Sequence, residues 1–190
     1  GSAPRGRAGA PSRFWPREVV DSSTASGFVS RADGANFIGA SSMRGAVSEK
    51  PGEPLEIREL RLANLASDDV ILRIQATSLC HTDLEAVDGQ LDTPLPFVPG
   101  HEAAGIVEWT GSSVYRLSVG DHVALSWNPH CGHCYFCSHE QFILCEQYRA
   151  NGVRSVHFDG KARIFDGKQP VHQLMYAGTF AELAVVTEDC

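Results

Sequence analysis

The clearest hydrophobic pattern in the chain is the alternation of apolar and polar positions in the segment DDVILRIQATSL, residues 68–79. The apolar phase consists of Val70, Leu72, Ile74 and Ala76, and the polar phase consists of Arg73, Gln75 and Thr77. Successive side chains of a β-strand point to opposite faces, so this alternation predicts a half-buried strand.

Further apolar runs predict more strands, in LEIREL, AGIVEWT, DHVAL and FAELAVV. Gly- and Pro-rich turn signals separate them, in KPGEP, PLPFVPG, VGD and DGK. No long segment repeats apolar residues at the i, i+3, i+4 and i+7 positions of an amphipathic helix. These patterns therefore predict a mostly β domain with short helices, folded as a partly closed barrel.

Residues 1–42 differ in composition from the rest of the chain, with eight Ser, seven Ala, six Gly and five Arg and no helical or strand period. This composition predicts a flexible tail. The Arg-rich, Ser-rich and acid-poor character also fits an organelle transit peptide. The chain opens with Gly1-Ser2 and without Met, which fits an expression-vector remnant, a fragment or translated upstream sequence as alternatives. The predicted folded domain is 43–190, with Met43 as a candidate start.

Overall composition narrows the classes of partner. Hydrophobic residues make up 43% of the chain, enough for a buried core. The net charge of −7 argues against a nucleic-acid partner, because proteins that bind nucleic acid need a basic surface patch. No stretch approaches the roughly 18 apolar residues of a membrane span, so no membrane partner is expected.

Four of the six cysteines follow the spacing C-x2-C-x2-C-x7-C, at Cys131, Cys134, Cys137 and Cys145. Four thiolates form a closed tetrahedral Zn²⁺ site, which leaves no position for substrate. A ferredoxin-type cluster has a shorter last gap followed by Pro, whereas Glu146 follows here. Two disulfides are the other alternative, although the close spacing fits metal binding in a reducing compartment better. The segment 128–148 is predicted to be a structural zinc lobe.

A second candidate site lies upstream, at Cys80 and at the pair His101–Glu102. A thiolate and an imidazole from two loops can converge on one Zn²⁺ and leave an open coordination position. Asp83 is a candidate to accept the other ring N–H of His101. The alternative is that Cys80 is a small buried apolar residue and His101 an ordinary hydrogen-bonded side chain.

The motifs CHTD, PGHEAAGIVE and VGDHVAL, together with the cysteine lobe, resemble the zinc-dependent medium-chain alcohol dehydrogenases over about Met43–Cys190. The resemblance implies the amino-terminal GroES-like catalytic domain, with the zinc lobe inserted into the barrel. No G-x-G-x-x-G turn within a βαβ unit is present, so the chain is expected to be a fragment that lacks the Rossmann domain.

The resemblance also implies roles for residues of the catalytic zinc site. Cys80 and His101 would be zinc ligands, and Glu102 would be a nearby carboxylate that can ligate the metal transiently. Asp83 would orient His101. The third ligand of the family comes further along the chain than Cys190, so Cys190 is not expected to replace it.

Other roles concern the substrate and the cofactor. Thr82 would take the alcohol proton through its hydroxyl, His81 would contact the pyrophosphate of the cofactor, and Trp127 would line the substrate pocket or be an ordinary barrel aromatic. Liver-type members have a proton-relaying His at the position of Glu85, which is either a substitute relay or a solvated surface charge.

The implied reaction is oxidation of an alcohol to an aldehyde or ketone, with NAD or NADP as hydride acceptor. The implied protein is cytoplasmic, or in an organelle if residues 1–42 are a transit peptide. Its partners would be the small-molecule alcohol or aldehyde, the Rossmann half and further copies in a homo-oligomer, and the fragment alone is expected to be inactive. Two alternatives are a non-enzymatic zinc-binding interaction module and a quinone- or glutathione-linked relative.

Overall fold

The structure, a computed structural model, describes residues 42–152 and 154–190. The predicted tail lies outside the described residues except for Ser42. The strands within the described part are β1 Ser42–Val47, β2 Glu56–Leu62, β3 Asp69–Thr77, β4 Phe97–Val98, β5 Ala103–Thr110, β6 His122–Ala124, β7 Ile164–Asp166, β8 Gln169–Gln173 and β9 Leu183–Thr187. The helices are α1 His81–Val87, α2 Tyr135–Ser138 and α3 Glu146–Gly152, with 3₁₀ segments at Phe142–Leu144 and Leu174–Tyr176. The prediction of a mostly β fold with short helices is confirmed.

The strands form two sheets. One has the order β1-β2-β7-β8-β4 and the other the order β6-β5-β3-β9. All of the pairings are antiparallel except that of β4 with β8. Isolated bridges from Gly45 to Ala181 and from Ser48 to Phe97 join neighbouring segments, so the sheets curl towards a half-barrel.

The main hydrophobic core combines side chains from both sheets. Met43, Val47 and Leu60 of the first sheet pack in one cluster with Ile71 and Val185 of the second, each at most 1% exposed. Because the cluster draws on strands from both sheets, it holds the two sheets together.

Strand β3 is buried on both faces in its first half, which corrects the prediction of a half-buried strand. Ile71 faces the main core, whereas Val70 and Leu72 belong to a second cluster with partly buried Ile74. Ala76, predicted to be apolar and inward, is exposed. Register shifts with β5 beside Ile71 and beyond Ile74 interrupt the alternation, because a bulge offsets the side chains that follow it.

A buried ionic network ties β3 to the segment before β7. Asp69 is fully buried, and its carboxylate accepts a hydrogen bond of 2.5 Å from Arg163 Nε. His157 Nδ1 lies 3.3 Å from the same carboxylate, and Asp159 pairs with Arg163 at 3.1 Å. Buried charges require such partners, because an unpaired buried charge costs several kcal/mol, about 3–5.

No helix in the described part of the chain is long and apolar enough to cross a membrane.

Candidate metal centres

The pairing of β3 with β5 brings together the two segments that carry the upstream site. Thr77 lies opposite Ala103 at the end of this pairing. One residue further on, the Ser78 N–H donates to the Glu102 carbonyl at 3.0 Å. Cys80 follows at the start of α1, and His101 and Glu102 precede β5. The sheet register therefore sets the distance between the thiol and the imidazole.

Cys80, His101 and Glu102 each place one donor atom within 4.8 Å of the other two. These three residues are called the open site below. His101 is 4% exposed, Cys80 is half-buried and Glu102 is exposed, so the cluster has a buried wall and a solvent-facing side. A thiolate, an imidazole and a carboxylate are ligands that Zn²⁺ accepts, and three protein ligands leave a fourth tetrahedral position. The donor set fits a zinc ion that retains room for an exchangeable ligand.

Asp83 lies behind His101 and is 1% exposed. Its Oδ1 accepts hydrogen bonds from His101 Nδ1 at 3.1 Å and from the Gly100 N–H at 2.9 Å. Its Oδ2 accepts a hydrogen bond of 2.9 Å from the Cys80 N–H. The carboxylate therefore fixes His101 as the tautomer with a proton on Nδ1, which leaves Nε2 as the nitrogen able to bind a metal.

The hydrogen bonds shift the ionisation of these groups. The Asp83 carboxylate raises the pKa of His101 above its usual value, although burial acts in the opposite direction. Burial alone would raise the pKa of Asp83, but its bonds from His101 and from two backbone N–H groups lower it. A hydrogen bond from the Thr82 backbone N–H makes the largest contribution to lowering the pKa of the Cys80 thiol, and one from the His101 side chain makes the next largest. The site thus favours the thiolate, which is the metal-binding form of cysteine.

Gly100 is required for the backbone path that presents His101. Its φ is +92°, and a Cβ there would lie 2.4 Å from Thr179 Oγ1 and 2.8 Å from the Phe180 backbone nitrogen. The Thr179 N–H also donates to the Gly100 carbonyl at 3.0 Å. Only a residue without a side chain fits between these groups.

The remaining upstream candidates have different surroundings. His81 is largely exposed, and its Nε2 lies 3.6 Å from Glu85 Oε1 one helical turn along α1. Trp127 contacts Tyr148 edge-on with ring centroids 6.0 Å apart. Cys190 packs against the second hydrophobic cluster and does not join the donor group around Cys80 in the described residues.

The four lobe cysteines place their sulfur atoms within 4.8 Å of one another. Cys134 Sγ and Cys137 Sγ are 3.5 Å apart, and Cys131 Sγ and Cys137 Sγ are 4.0 Å apart. Disulfide sulfurs are about 2.05 Å apart, whereas four sulfurs at about 2.3 Å from one zinc are about 3.8 Å from each other. All four thiols are free, so the distances fit a closed tetrahedral zinc site and not two disulfides.

Backbone N–H groups point at two of the lobe sulfurs, those of Cys134 and Cys145. The N–H groups of Glu146 and Cys137 point at the Cys134 sulfur and lower its pKa to about 6. The Cys131 N–H donates to Cys145 Sγ at 3.3 Å. N–H groups directed at sulfur stabilise thiolates, which are the form that ligates zinc.

Two features of the open site were missed by sequence reasoning. The Ser78 hydroxyl donates to Glu102 Oε2, and the Thr77 hydroxyl donates to the Glu102 carbonyl at 3.0 Å. The available signal was position, because Thr77 ends β3, Ser78 follows it, and Glu102 lies just before the predicted strand AGIVEWT. Without the pairing partner of β3, the sequence alone does not connect them.

Comparison with known proteins shows the family. The family model described as the alcohol dehydrogenase GroES-like domain matches residues 66–190. Alcohol dehydrogenase 1 of Pisum sativum is 40% identical over 149 residues, which are 77% of this chain and 39% of that protein. An S-(hydroxymethyl)glutathione dehydrogenase of Photobacterium damsela subsp. piscicida is 38% identical over 148 residues, 76% of this chain and 40% of that protein. The chain thus spans about two-fifths of the length of these relatives.

Solved structures agree with this assignment. An alcohol dehydrogenase zinc-binding domain protein from Burkholderia ambifaria superposes with a TM-score of 0.72 at 36% identity, over 77% of this chain and 40% of that one. Benzyl alcohol dehydrogenase from Acinetobacter calcoaceticus superposes with a TM-score of 0.70 at 31% identity, over 77% and 39% of the two chains. The curled sheets, the four-cysteine lobe and these matches together show that the chain belongs to the alcohol dehydrogenase GroES-like domain family.

Proposed function

We propose that this chain is the catalytic-domain portion of a zinc-dependent alcohol dehydrogenase that oxidises an alcohol to an aldehyde or ketone. The observation that carries the proposal is the open site, in which a thiolate, an imidazole and a carboxylate meet on a solvent-facing surface. The lobe brings four cysteine sulfurs together, and as thiolates these would fill all four positions of a tetrahedral zinc ion, which supports a structural role.

In this proposal Cys80 and His101 hold the catalytic zinc, and Glu102 supplies a third donor from this chain. Asp83 keeps His101 in the metal-binding tautomer through its 3.1 Å bond. The chemistry supplied by the bound groups is acidification of the alcohol by zinc and acceptance of its hydride by NAD or NADP.

Thr82 and His81 carry the remaining roles. Thr82 follows the ligand Cys80 by two residues in the first turn of α1, and we assign its hydroxyl the role of accepting the alcohol proton. The imidazole of His81 is largely exposed, so it is available to contact a phosphate of the cofactor. Trp127 is assigned to the substrate pocket.

Several broader assignments accompany the activity. The lobe at 128–148 binds a structural zinc through Cys131, Cys134, Cys137 and Cys145. Residues 43–190 form the catalytic domain, and residues 1–42 are an extension of it. The complete enzyme is a cytoplasmic homo-oligomer with a small-molecule substrate and a Rossmann half that binds NAD or NADP.

The test is to compare the 190-residue chain with a chain extended through the coding sequence that follows Cys190. The described residues include no dinucleotide-binding βαβ unit. Hydride transfer requires the nicotinamide held against the alcohol carbon, so we expect no cofactor reduction by the 190 residues alone. The extended chain should reduce cofactor with primary alcohols, and Cys80→Ala or His101→Ala should abolish turnover while the lobe zinc remains.

Thr82→Ala in the extended chain should keep both metals and slow turnover by roughly 10²–10⁴, the range for a positioned proton-transfer group. Full turnover by Cys80→Ala would refute the catalytic assignment. An extended chain that retains both zinc ions and reduces no cofactor with any alcohol would favour the interaction-module alternative.

A further inference from the structure

We propose that Ser78 is a positioning residue whose hydroxyl holds the Glu102 carboxylate in ligating position at the open site. This inference rests on the proposed function, because it assigns a role at the same metal centre. Its test is designed to fail separately from that function.

The first observation is that Ser78 and Glu102 are fixed neighbours. They face each other one step beyond the paired ends of β3 and β5, where the Ser78 N–H donates to the Glu102 carbonyl at 3.0 Å. The Thr77 hydroxyl donates to the same carbonyl, also at 3.0 Å. Two hydrogen bonds therefore hold the Glu102 backbone, independently of any contact that its side chain makes.

The second observation concerns the side chains. The Ser78 hydroxyl donates to Glu102 Oε2, while a Glu102 oxygen lies within 4.8 Å of the donor atoms of Cys80 and His101. A hydroxyl can donate only one hydrogen bond, so lone pairs on both carboxylate oxygens remain for a metal. The bond to Ser78 is thus compatible with ligation and restricts where the carboxylate can go.

The restriction matters because Glu102 is exposed. A free glutamate side chain on the surface samples many rotamers, and only some of them bring an oxygen near the thiolate and imidazole. Partners that orient a ligand typically change metal affinity by about 10–100-fold when they are removed. Ser78→Ala should therefore weaken metal binding at the open site by about that factor.

The experiment titrates Co²⁺ into the 190-residue chain whose lobe is already loaded with zinc. The thiolate-to-cobalt charge-transfer absorption reports on Cys80, and the Cys80→Ser variant gives the contribution of the lobe. Ser78→Ala should raise the Kd by about 10–100-fold. Ser78→Thr, which restores the hydroxyl, should return the Kd to within a few-fold of the unaltered chain.

Thr77→Val is the matched control, because it removes the neighbouring hydroxyl, which bonds the Glu102 carbonyl and Thr179 Oγ1, and leaves the Ser78 hydroxyl in place. Its Kd should rise by less than that of Ser78→Ala, because the contact of Ser78 with the carboxylate remains. In a Glu102→Ala background, Ser78→Ala should cause no further loss, since the group that it positions is gone.

Equal cobalt affinity for Ser78→Ala and the unaltered chain would overturn the inference about Ser78 and leave the metal site standing. The inference would also be overturned if Ser78→Ala lowered cobalt affinity as much in the Glu102→Ala background as in the unaltered chain. Ser78 would then act through the fold and not through Glu102. If the cobalt titration of Cys80→Ser were the same as that of the unaltered chain, Cys80 would not bind the metal. That result would overturn the open site and the proposed function with it.

Discussion

Gly100→Ala is the substitution that most directly probes how the fold presents His101. The added Cβ would lie 2.4 Å from Thr179 Oγ1, 2.5 Å from Phe180 Cδ1 and 2.8 Å from the Phe180 backbone nitrogen. Thr179 is completely buried, so it has little room to move. The loop that carries His101 must therefore shift away from the segment that follows Gly178.

The magnitude has two parts. A side chain at a φ of +92° costs about 1–2 kcal/mol through contact between Cβ and the backbone. Insertion of a methyl group into a filled space costs about 1–3 kcal/mol more. Gly100→Ala should therefore lower the free energy of unfolding by about 2–5 kcal/mol.

Gly120→Ala is a matched control, because Gly120 has a φ of +97° and its Cβ would meet nothing within 4 Å. It should cost only the backbone part, about 1–2 kcal/mol. Urea unfolding of the zinc-loaded chain gives both free energies, and cobalt titration gives the open-site affinity. Gly100→Ala should also weaken that affinity at least about tenfold, because its N–H bond to Asp83 and the adjacent imidazole are displaced.

Equal losses of unfolding free energy in the two variants would refute the steric argument. Retention of full cobalt affinity by Gly100→Ala would refute the claim that this glycine sets the position of His101. The two measurements are independent, so each part of the reasoning can fail alone.

Three further predictions follow from the metal sites and the buried charges. After mild chelator dialysis, elemental analysis should find about one zinc per chain, because the lobe has more thiolate ligands than the open site; two retained zinc ions would contradict this. Cys134→Ser should release the lobe zinc and abolish amide hydrogen-exchange protection across 128–148, since structural zinc contributes on the order of 10 kcal/mol; unchanged protection would count against a zinc-held lobe. Burial opposes ionisation of Asp69, but His157 and Arg163 lower its pKa below the unfolded value of about 3.9. The ionised carboxylate therefore stabilises the folded state at pH values above the unfolded pKa. This stabilisation is lost as the pH falls through the folded pKa. The unfolding free energy of Asp69→Asn should therefore vary less than that of the unaltered chain between about pH 5 and pH 2, and equal slopes would contradict the assignment.

The geometry of the lobe could be predicted from the sequence because its determinants are local. Cys131 to Cys145 are fifteen consecutive positions in the chain, and short gaps between thiols limit where the sulfurs can lie. Two-residue gaps within turns bring sulfurs together without help from distant segments. Spacing alone therefore predicted the cluster that the structure contains.

The surroundings of the open site could not be predicted in the same way. Convergence of Cys80 and His101 was a hypothesis from motifs, but contacts such as that of Gly100 with Thr179 depend on a segment near the far end of the chain. The two-sided burial of β3 is a similar case, because the alternation could not show that Ile71 would meet a core on the opposite face. Long-range packing decides these features, and a sequence pattern reports only the local period.

The two centres consequently depend on the fold to different degrees. The lobe ligands come from one continuous segment, so zinc can order that segment with little contribution from the barrel. The open site joins the end of β3 to the start of β5, and the register that places Thr77 opposite Ala103 also sets the separation of the thiolate and the imidazole. Any change that loosens this pairing should weaken the open site before it affects the lobe. A metal at the open site would therefore depend on the global fold, whereas a metal in the lobe would depend on its own local segment.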